Sequence, residues 1–183
     1  MSRTTDLSSF DNSEYQPGGY IKRGLWYLVN ALVFDSAILP ISSFKTLLLR
    51  VFGATVGHGV VIKPKVNIKY PWFLHIGNHV WLGEGVWIDN LGEVVIGNHC
   101  CISQGAMLLT GNHNFKSSSF DLMVSPIQVK DGVWIGAQSV VCPGVHCESH
   151  SVLAVGSVAT GHLEPYTIYQ GNPAKAIRER VIQ

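Results

Sequence analysis

Charge is scarce in this chain of 183 residues: Asp, Glu, Lys and Arg make up 14% of it, against roughly 25% in an average soluble domain. The formal net charge is only +1, which argues against a nucleic-acid binder, since those usually carry a basic surplus. There is no uninterrupted apolar run of about 20 residues, the length a membrane-spanning helix needs. No C-x-x-C pair occurs among Cys100, Cys101, Cys142 and Cys147, and no signal peptide precedes them. A reduced cytoplasmic setting and small packed thiols are expected. G-x-S-x-G, a Walker loop and H-E-x-x-H are all missing, so those nucleophiles, phosphate cradles and metalloprotease sites are not indicated.

Hydrophobic residues, by contrast, make up 46%. So little charge on so apolar a chain suggests that other subunits or a membrane cover part of the surface. Glycine is spread through the chain, 19 in all, as many tight corners require.

The apolar residues follow a period of six. Aliphatic or small residues stand at Val56, Ile62, Ile68, Ile76, Leu82, Ile88, Ile96, Ile102 and Leu108, and again at Val129, Ile135, Val141, Cys147, Leu153 and Ala159. Two places before most of them is a second small or apolar residue, such as Val60, Val80, Cys100 or Ser139. Each unit therefore reads as a short strand, two side chains inward and one outward, followed by a corner. A fixed short period means a solenoid. Six residues per face and three faces per coil give an all-β triangular parallel β-helix of about five coils, stacked about 4.8 Å apart. Gly57, Gly77, Gly83, Gly97 and Gly136 follow the aliphatic position, where the corner needs an unhindered backbone.

Three steps are longer than six: Ile68 to Ile76, Ile88 to Ile96, and Leu108 to Val129. Positions 68, 88 and 108 are each three units apart, so all three insertions leave from one edge. The third, residues 109–126, carries Gly111-Asn112-His113. That triplet resembles the corner triplets Gly77-Asn78-His79 and Gly97-Asn98-His99 but stands out of phase with the repeat. His113 is thus the candidate general base, a group that ionises near neutral pH. Asp89 and Asn90 should lie one coil below the base of its loop. Asp89 could bind an acceptor or orient the imidazole.

Three segments follow from this pattern. Residues 1–55 hold a polar arm (1–18) and two capping helices, the second starting at Ser42 or Ser43 with Phe44, Leu47, Leu48 and Val51 at helical spacing. Residues 56–164 are the β-helix. Residues 165–183 are a tail in which Ala174 to Val181 reads as a short helix. Trp26, Tyr27, Phe34, Phe44 and Phe52, with Lys22, Arg23, Lys45 and Arg50 nearby, suggest that residues 20–52 touch a membrane surface without crossing it.

Across residues 56–178 the repeat resembles the hexapeptide-repeat acyltransferases. The combination of Val133-Trp134-Ile135-Gly136-Ala137, Cys142-Pro143-Gly144-Val145, Gly156-Ser157-Val158 and Gly171-Asn172-Pro173-Ala174-Lys175 carries the likeness. Tyr70-Pro71-Trp72, Leu91-Gly92-Glu93, Ile102-Ser103-Gln104 and Arg178-Glu179-Arg180-Val181 are similar to the colanic-acid biosynthesis acetyltransferase branch. The resemblance implies a left-handed β-helix, a homotrimer, and acetyl transfer from acetyl-CoA to a sugar hydroxyl in extracellular polysaccharide synthesis. It implies no metal. It places the catalytic histidine at His113 and the acceptor-side acid at Asp89, beside Asn90. Acetyl-CoA contacts fall on Trp134, Ala137, Val155, Thr160, Gly161, Lys175 and Arg178. Thr160-Gly161 replaces a usual Thr-Lys, removing one cation from the cofactor side. The alternatives are another small hydroxyl or amine acceptor, a zinc carbonic-anhydrase-like enzyme on the same rod, and a non-catalytic scaffold.

Overall fold

The computed structural model describes residues 4–183; residues 1–3 of the arm lie outside the described residues. The hexad pattern folds as a triangular rod with three parallel sheets. The first face stacks Thr55–Val56, Leu74–Ile76, Val94–Ile96, Ile127–Val129 and His146–Cys147, with Leu163 bridging onto Cys147. The second stacks Val61–Ile62, Trp81–Leu82, Cys101–Ile102, Trp134–Ile135, Val152–Leu153 and Thr167–Gly171. The third stacks Asn67–Ile68, Trp87–Asp89, Met107–Leu109, Val140–Val141 and Val158–Ala159. The second face carries a sixth parallel strand, Thr167–Gly171, so the rod has about six turns rather than about five. That strand lies beyond Ala159, where the aliphatic hexads end, and its inward residue is the aromatic Tyr169.

The inward positions form one continuous core. Ile62, Leu82, Ile102, Ile135 and Leu153 stack in line on the second face, all fully buried, while Trp81 and Trp134 between them point outward. The corner glycines are set by coil-to-coil contact. A Cβ on Gly77 would come within 2.7 Å of the Gly97 backbone, and one on Gly136 within 2.6 Å of Val155 N. The edge between the first and second faces is held by a side-chain ladder, with Asn78 Oδ1 accepting from His58 N, Asn98 Oδ1 from Asn78 N, and Asp131 Oδ1 from Asn98 N. Beside it His79 stacks on His99, ring centroids 5.1 Å apart, and His58 meets His79 edge-on at 4.8 Å. Those histidines are corner residues, as the repeat phase predicts.

The first coil leaves an open sheet edge, whose unpaired backbone groups need partners. Helix α1 (Tyr20–Val29), a π-helical turn Asn30–Phe34 and helix α2 (Ser42–Val51) supply them. Trp26 Nε1 donates to Ile68 O at 2.8 Å, Asn30 Oδ1 accepts from Ile68 N, Lys45 Nζ donates to Lys63 O at 3.0 Å, and Arg50 donates to Val56 O and Gly57 O. Trp26 also packs on Phe34 and Phe52.

This need for donors corrects the expected face of α2. The helix buries Lys45, Thr46 and Leu49 against the rod, and turns Phe44, Leu47 and Val51 outward. Ser42 does not cap the helix; its hydroxyl accepts from Ile62 N instead. The C-terminal helix is also corrected. Ala174–Glu179 is a strand that turns back at Gly171-Asn172-Pro173 and pairs antiparallel with Thr167–Gly171. Pairing against that last parallel strand outweighs the helix propensity of Ala-Lys-Ala-Ile-Arg-Glu.

Candidate active site

Asp89 pairs with Leu109, so the third insertion rises directly above the second. Thr110 is buried and ties the two together. Its hydroxyl donates to Asp89 O at 3.2 Å and accepts from Gly92 N at 2.9 Å, and its carbonyl accepts from Ser125 N. The chain then leaves the rod as a hairpin, Gly111–His113 antiparallel to Leu122–Val124. Gly111 lets the Leu91 side chain pack against the hairpin backbone; a Cβ there would push the end of that side chain aside.

His113 ends the first hairpin strand. Its ring lies flat on Phe120, centroids 4.4 Å apart and planes 8° apart, with Phe10 at 5.7 Å. Nδ1 is 2.8 Å from Phe120 O. A carbonyl oxygen only accepts, so Nδ1 carries the proton. In the neutral ring Nε2 then holds the free lone pair, the state a general base needs. The hairpin thus fixes both the plane and the tautomer of the imidazole.

The polar arm does not trail away. Asp6 N donates to Ser118 O, Phe10 sits against His113, Tyr15 OH donates to Leu91 O at 2.6 Å, and Trp72 Nε1 donates to Pro17 O. Burial pushes the Tyr15 phenol well above its ordinary pKa, and the nearby Tyr70 and Asp89 add to the effect, so it stays a donor. The arm and the rod enclose a cleft of about 540 Å³ lined by Phe10, Tyr15, Arg23, Lys69, Tyr70 and His113 among others. A second cleft of about 460 Å³ shares Arg23, Lys69 and Tyr70, and adds Trp87 and Asp89. Sequence reasoning missed the arm. Phe10 and Tyr15, two aromatics in a Ser-rich stretch, were the available signal.

Asp89 is ion-paired with Lys69, Oδ1 to Nζ 2.8 Å. It does not orient the imidazole, because His113 Nδ1 is engaged by Phe120. Asn90 is displaced from its expected role. It is fully buried, its Nδ2 donates to Tyr70 O at 2.6 Å, and its Oδ1 accepts from Tyr70 N. With both ends of the amide occupied, it fastens the second insertion to the first and meets no acceptor.

No protein-family model matches the chain. A protein of Escherichia coli (strain K12), provisionally named colanic acid biosynthesis acetyltransferase WcaF, is 38% identical over 96% of this chain and 97% of its own. The chain belongs to the acetyltransferases of this kind. Among solved structures, a galactoside acetyltransferase in complex with coenzyme A is 26% identical, with a TM-score of 0.77 over 87% of this chain and 80% of that one. The hexapeptide-repeat acetyltransferase VCA0836 of Vibrio cholerae superposes with a TM-score of 0.81 over 96% of this chain and 98% of its own, at 22% identity. The rod is accordingly a left-handed parallel β-helix.

As a member of this family the chain is an acetyltransferase, and its expected acetyl-CoA positions fall in three places. Thr160 and Gly161 are exposed on the edge that carries His113. Trp134 is exposed on the second face, its Nε1 donating to Ser103 Oγ at 2.9 Å. Ala137 and Val155 follow it on the edge between the second and third faces, joined by Gly156 N donating to Ala137 O. Lys175 and Arg178 are exposed on the terminal hairpin, opposite Gln170 and Ile168. The structure therefore does not bring these residues together with His113 on one edge of a single chain.

Proposed function

We propose that this protein transfers acetyl from acetyl-CoA to a hydroxyl of a sugar, with His113 as the general base, in the assembly of an extracellular polysaccharide. The observation that carries the reading is the His113 Nδ1–Phe120 O hydrogen bond, which leaves Nε2 as a free base in the wall of a cleft. His113 takes the acceptor's hydroxyl proton as the oxygen attacks the thioester carbonyl. When the carbon–sulfur bond breaks, the imidazolium returns that proton to the departing thiolate. Asp89, held by Lys69, is the acceptor-side carboxylate. The tested outcome is acceptor-dependent release of coenzyme A over a panel of free, nucleotide-linked and lipid-linked sugars. Release with none of the three classes would sink the reading.

The acting form is a homotrimer. Trp134 on the second face, with Ala137 and Val155 on the edge beside it, lies away from the edge of His113, Thr160 and Gly161, so one acetyl-CoA molecule reaches both sets only where two copies meet. Lys175 and Arg178 would meet its phosphates as exposed cations, with no third cation at Gly161.

The enzyme works at the inner face of a membrane, and the structure changes what supports that idea. Three of the five aromatics, Trp26, Phe34 and Phe52, pack inward, and Lys45 and Arg50 are bonded to backbone carbonyls. What α1 and the π-helical turn after it turn outward instead is an aliphatic stripe, Ile21, Leu25, Leu28 and Leu32, continued by Ile38, Ile41 and Leu47. No helix among the described residues is long and apolar enough to cross a membrane. Shallow apolar insertion fits this face better than attraction to headgroups. The protein should therefore float with neutral as well as anionic vesicles, and L28E/L32E should stay at the bottom. Equal behaviour of the variant and the wild type would show that lipid does not meet this face.

A further inference from the structure

Arg23 lines both clefts, the one that holds His113 and the one that holds Asp89. It is half-buried, and its guanidinium carbon sits 4.5 Å over the Tyr20 ring. Its Nε is shut off from solvent and has no hydrogen-bond partner. Among the described residues no carboxylate pairs with it: the cations found in ion pairs are Lys65, Lys69 and His75. Lys69, the other cation of the His113 cleft, already has Asp89. No Asp or Glu lines that cleft.

A guanidinium N–H shut off from water with no acceptor is costly, and no carboxylate offsets the charge that carries it. Its fork of donors matches the paired oxygens of a phosphoryl or carboxylate group. Neutral sugar hydroxyls would satisfy the hydrogen bonds but leave the charge unmatched.

We infer that the acceptor is an anionic sugar, and that Arg23 binds its phosphoryl or carboxylate oxygens within reach of the two clefts. This rests on the sugar-acceptor reading and narrows it. Arg23 would then determine which acceptors are taken, while His113 carries the chemistry. Tyr20, stacked on the guanidinium, and Tyr15, held to Leu91, would fix the approach of the charged group.

Two matched pairs of acceptors separate the sources of the anion: glucose 1-phosphate against methyl glucoside, and glucuronate against glucose. Coenzyme A release should favour the charged member of at least one pair at least 10-fold in kcat/KM, and R23Q should bring that ratio close to one. R23K, which keeps the charge without the fork, should retain part of it. Calorimetric binding of glucose 1-phosphate and glucuronate reads the same site without turnover. The favoured ligand should bind at least 10-fold more weakly to R23Q, with acetyl-CoA binding kept within about twofold as the check on folding. If R23Q fails that check, R23K decides: a selectivity equal to wild type overturns the inference. No preference for charge in the wild type overturns it too, and so does a preference that R23Q leaves intact. Charged ligands that bind through Arg23 without any coenzyme A release would instead sink the acetyl-transfer reading and leave the anion site standing.

Discussion

The place of His113 on the long loop was legible because a Gly-Asn-His triplet stands out of phase with the repeat. Its partners were not, because Phe10 is 103 positions away and Phe120 contributes a backbone carbonyl, which no side-chain pattern announces. Asp89 is the second residue whose place was legible, by counting hexads, although its ion pair with Lys69 was not. Asp89→Asn should raise the acceptor KM at least several-fold and leave acetyl-CoA affinity unchanged, as steady-state kinetics against each substrate will show; an equal loss on the cofactor side would put Asp89 in the wrong half of the site. The thiols make a separate prediction. Burial pushes Cys100 up to about 11 and Cys147 up to about 12. Their folded values lie above the unfolded value near 9, so the stability they contribute is complete below about pH 9. It is lost as pH rises through 11 and 12. Over that window each thiol should lower stability by roughly 1.4 kcal/mol per pH unit. Urea midpoints between pH 8 and 11 check this, and Cys147→Ala should flatten the slope by one thiol's share.

Elements whose partners are other hexads were readable, because each strand's inward residues are set by a period of six and meet the same positions one coil away. Elements that finish the rod were not. The face that α2 buries depends on the open backbone edge of the first coil, which draws Lys45 inward and holds the exposed Arg50 across the edge as donors. Ala174–Glu179 is a strand because Thr167–Gly171 offers it an edge, although its own residues favour a helix. Asn90 belongs to this group too: its neighbour Asp89 suggests an acceptor contact, yet its amide closes a two-bond clasp on Tyr70. Asn90→Ala removes both bonds and leaves Tyr70 N without a partner, while Tyr70 O keeps Phe73 N, which should cost roughly 1–3 kcal/mol. Chemical denaturation measures that loss. A change below about 0.5 kcal/mol would mean that water replaces the clasp.

At the scale of the molecule, a rod with three nearly uncharged faces places its expected substrate contacts on two different edges and a terminal hairpin. That arrangement asks for neighbours. Light scattering at micromolar concentration should give three times the chain mass of 20.0 kDa, and a clean monomer would leave Trp134, Ala137 and Val155 without access to His113. The scarcity of charge pointed toward this from the sequence, while the path of the arm over the active loop needed the folded chain. Acetyl transfer here depends on a fixed imidazole with a free Nε2 at the wall of the cleft. The most direct measurement is coenzyme A release from acetyl-CoA with a sugar acceptor, compared between the wild-type protein and His113→Ala, with acetyl-CoA binding followed in parallel. Acceptor-dependent release is expected in the wild type, with a fall in kcat of roughly 10²–10⁴-fold in the variant and unchanged acetyl-CoA binding. Turnover of His113→Ala at a near wild-type rate would contradict the role of His113 as the base.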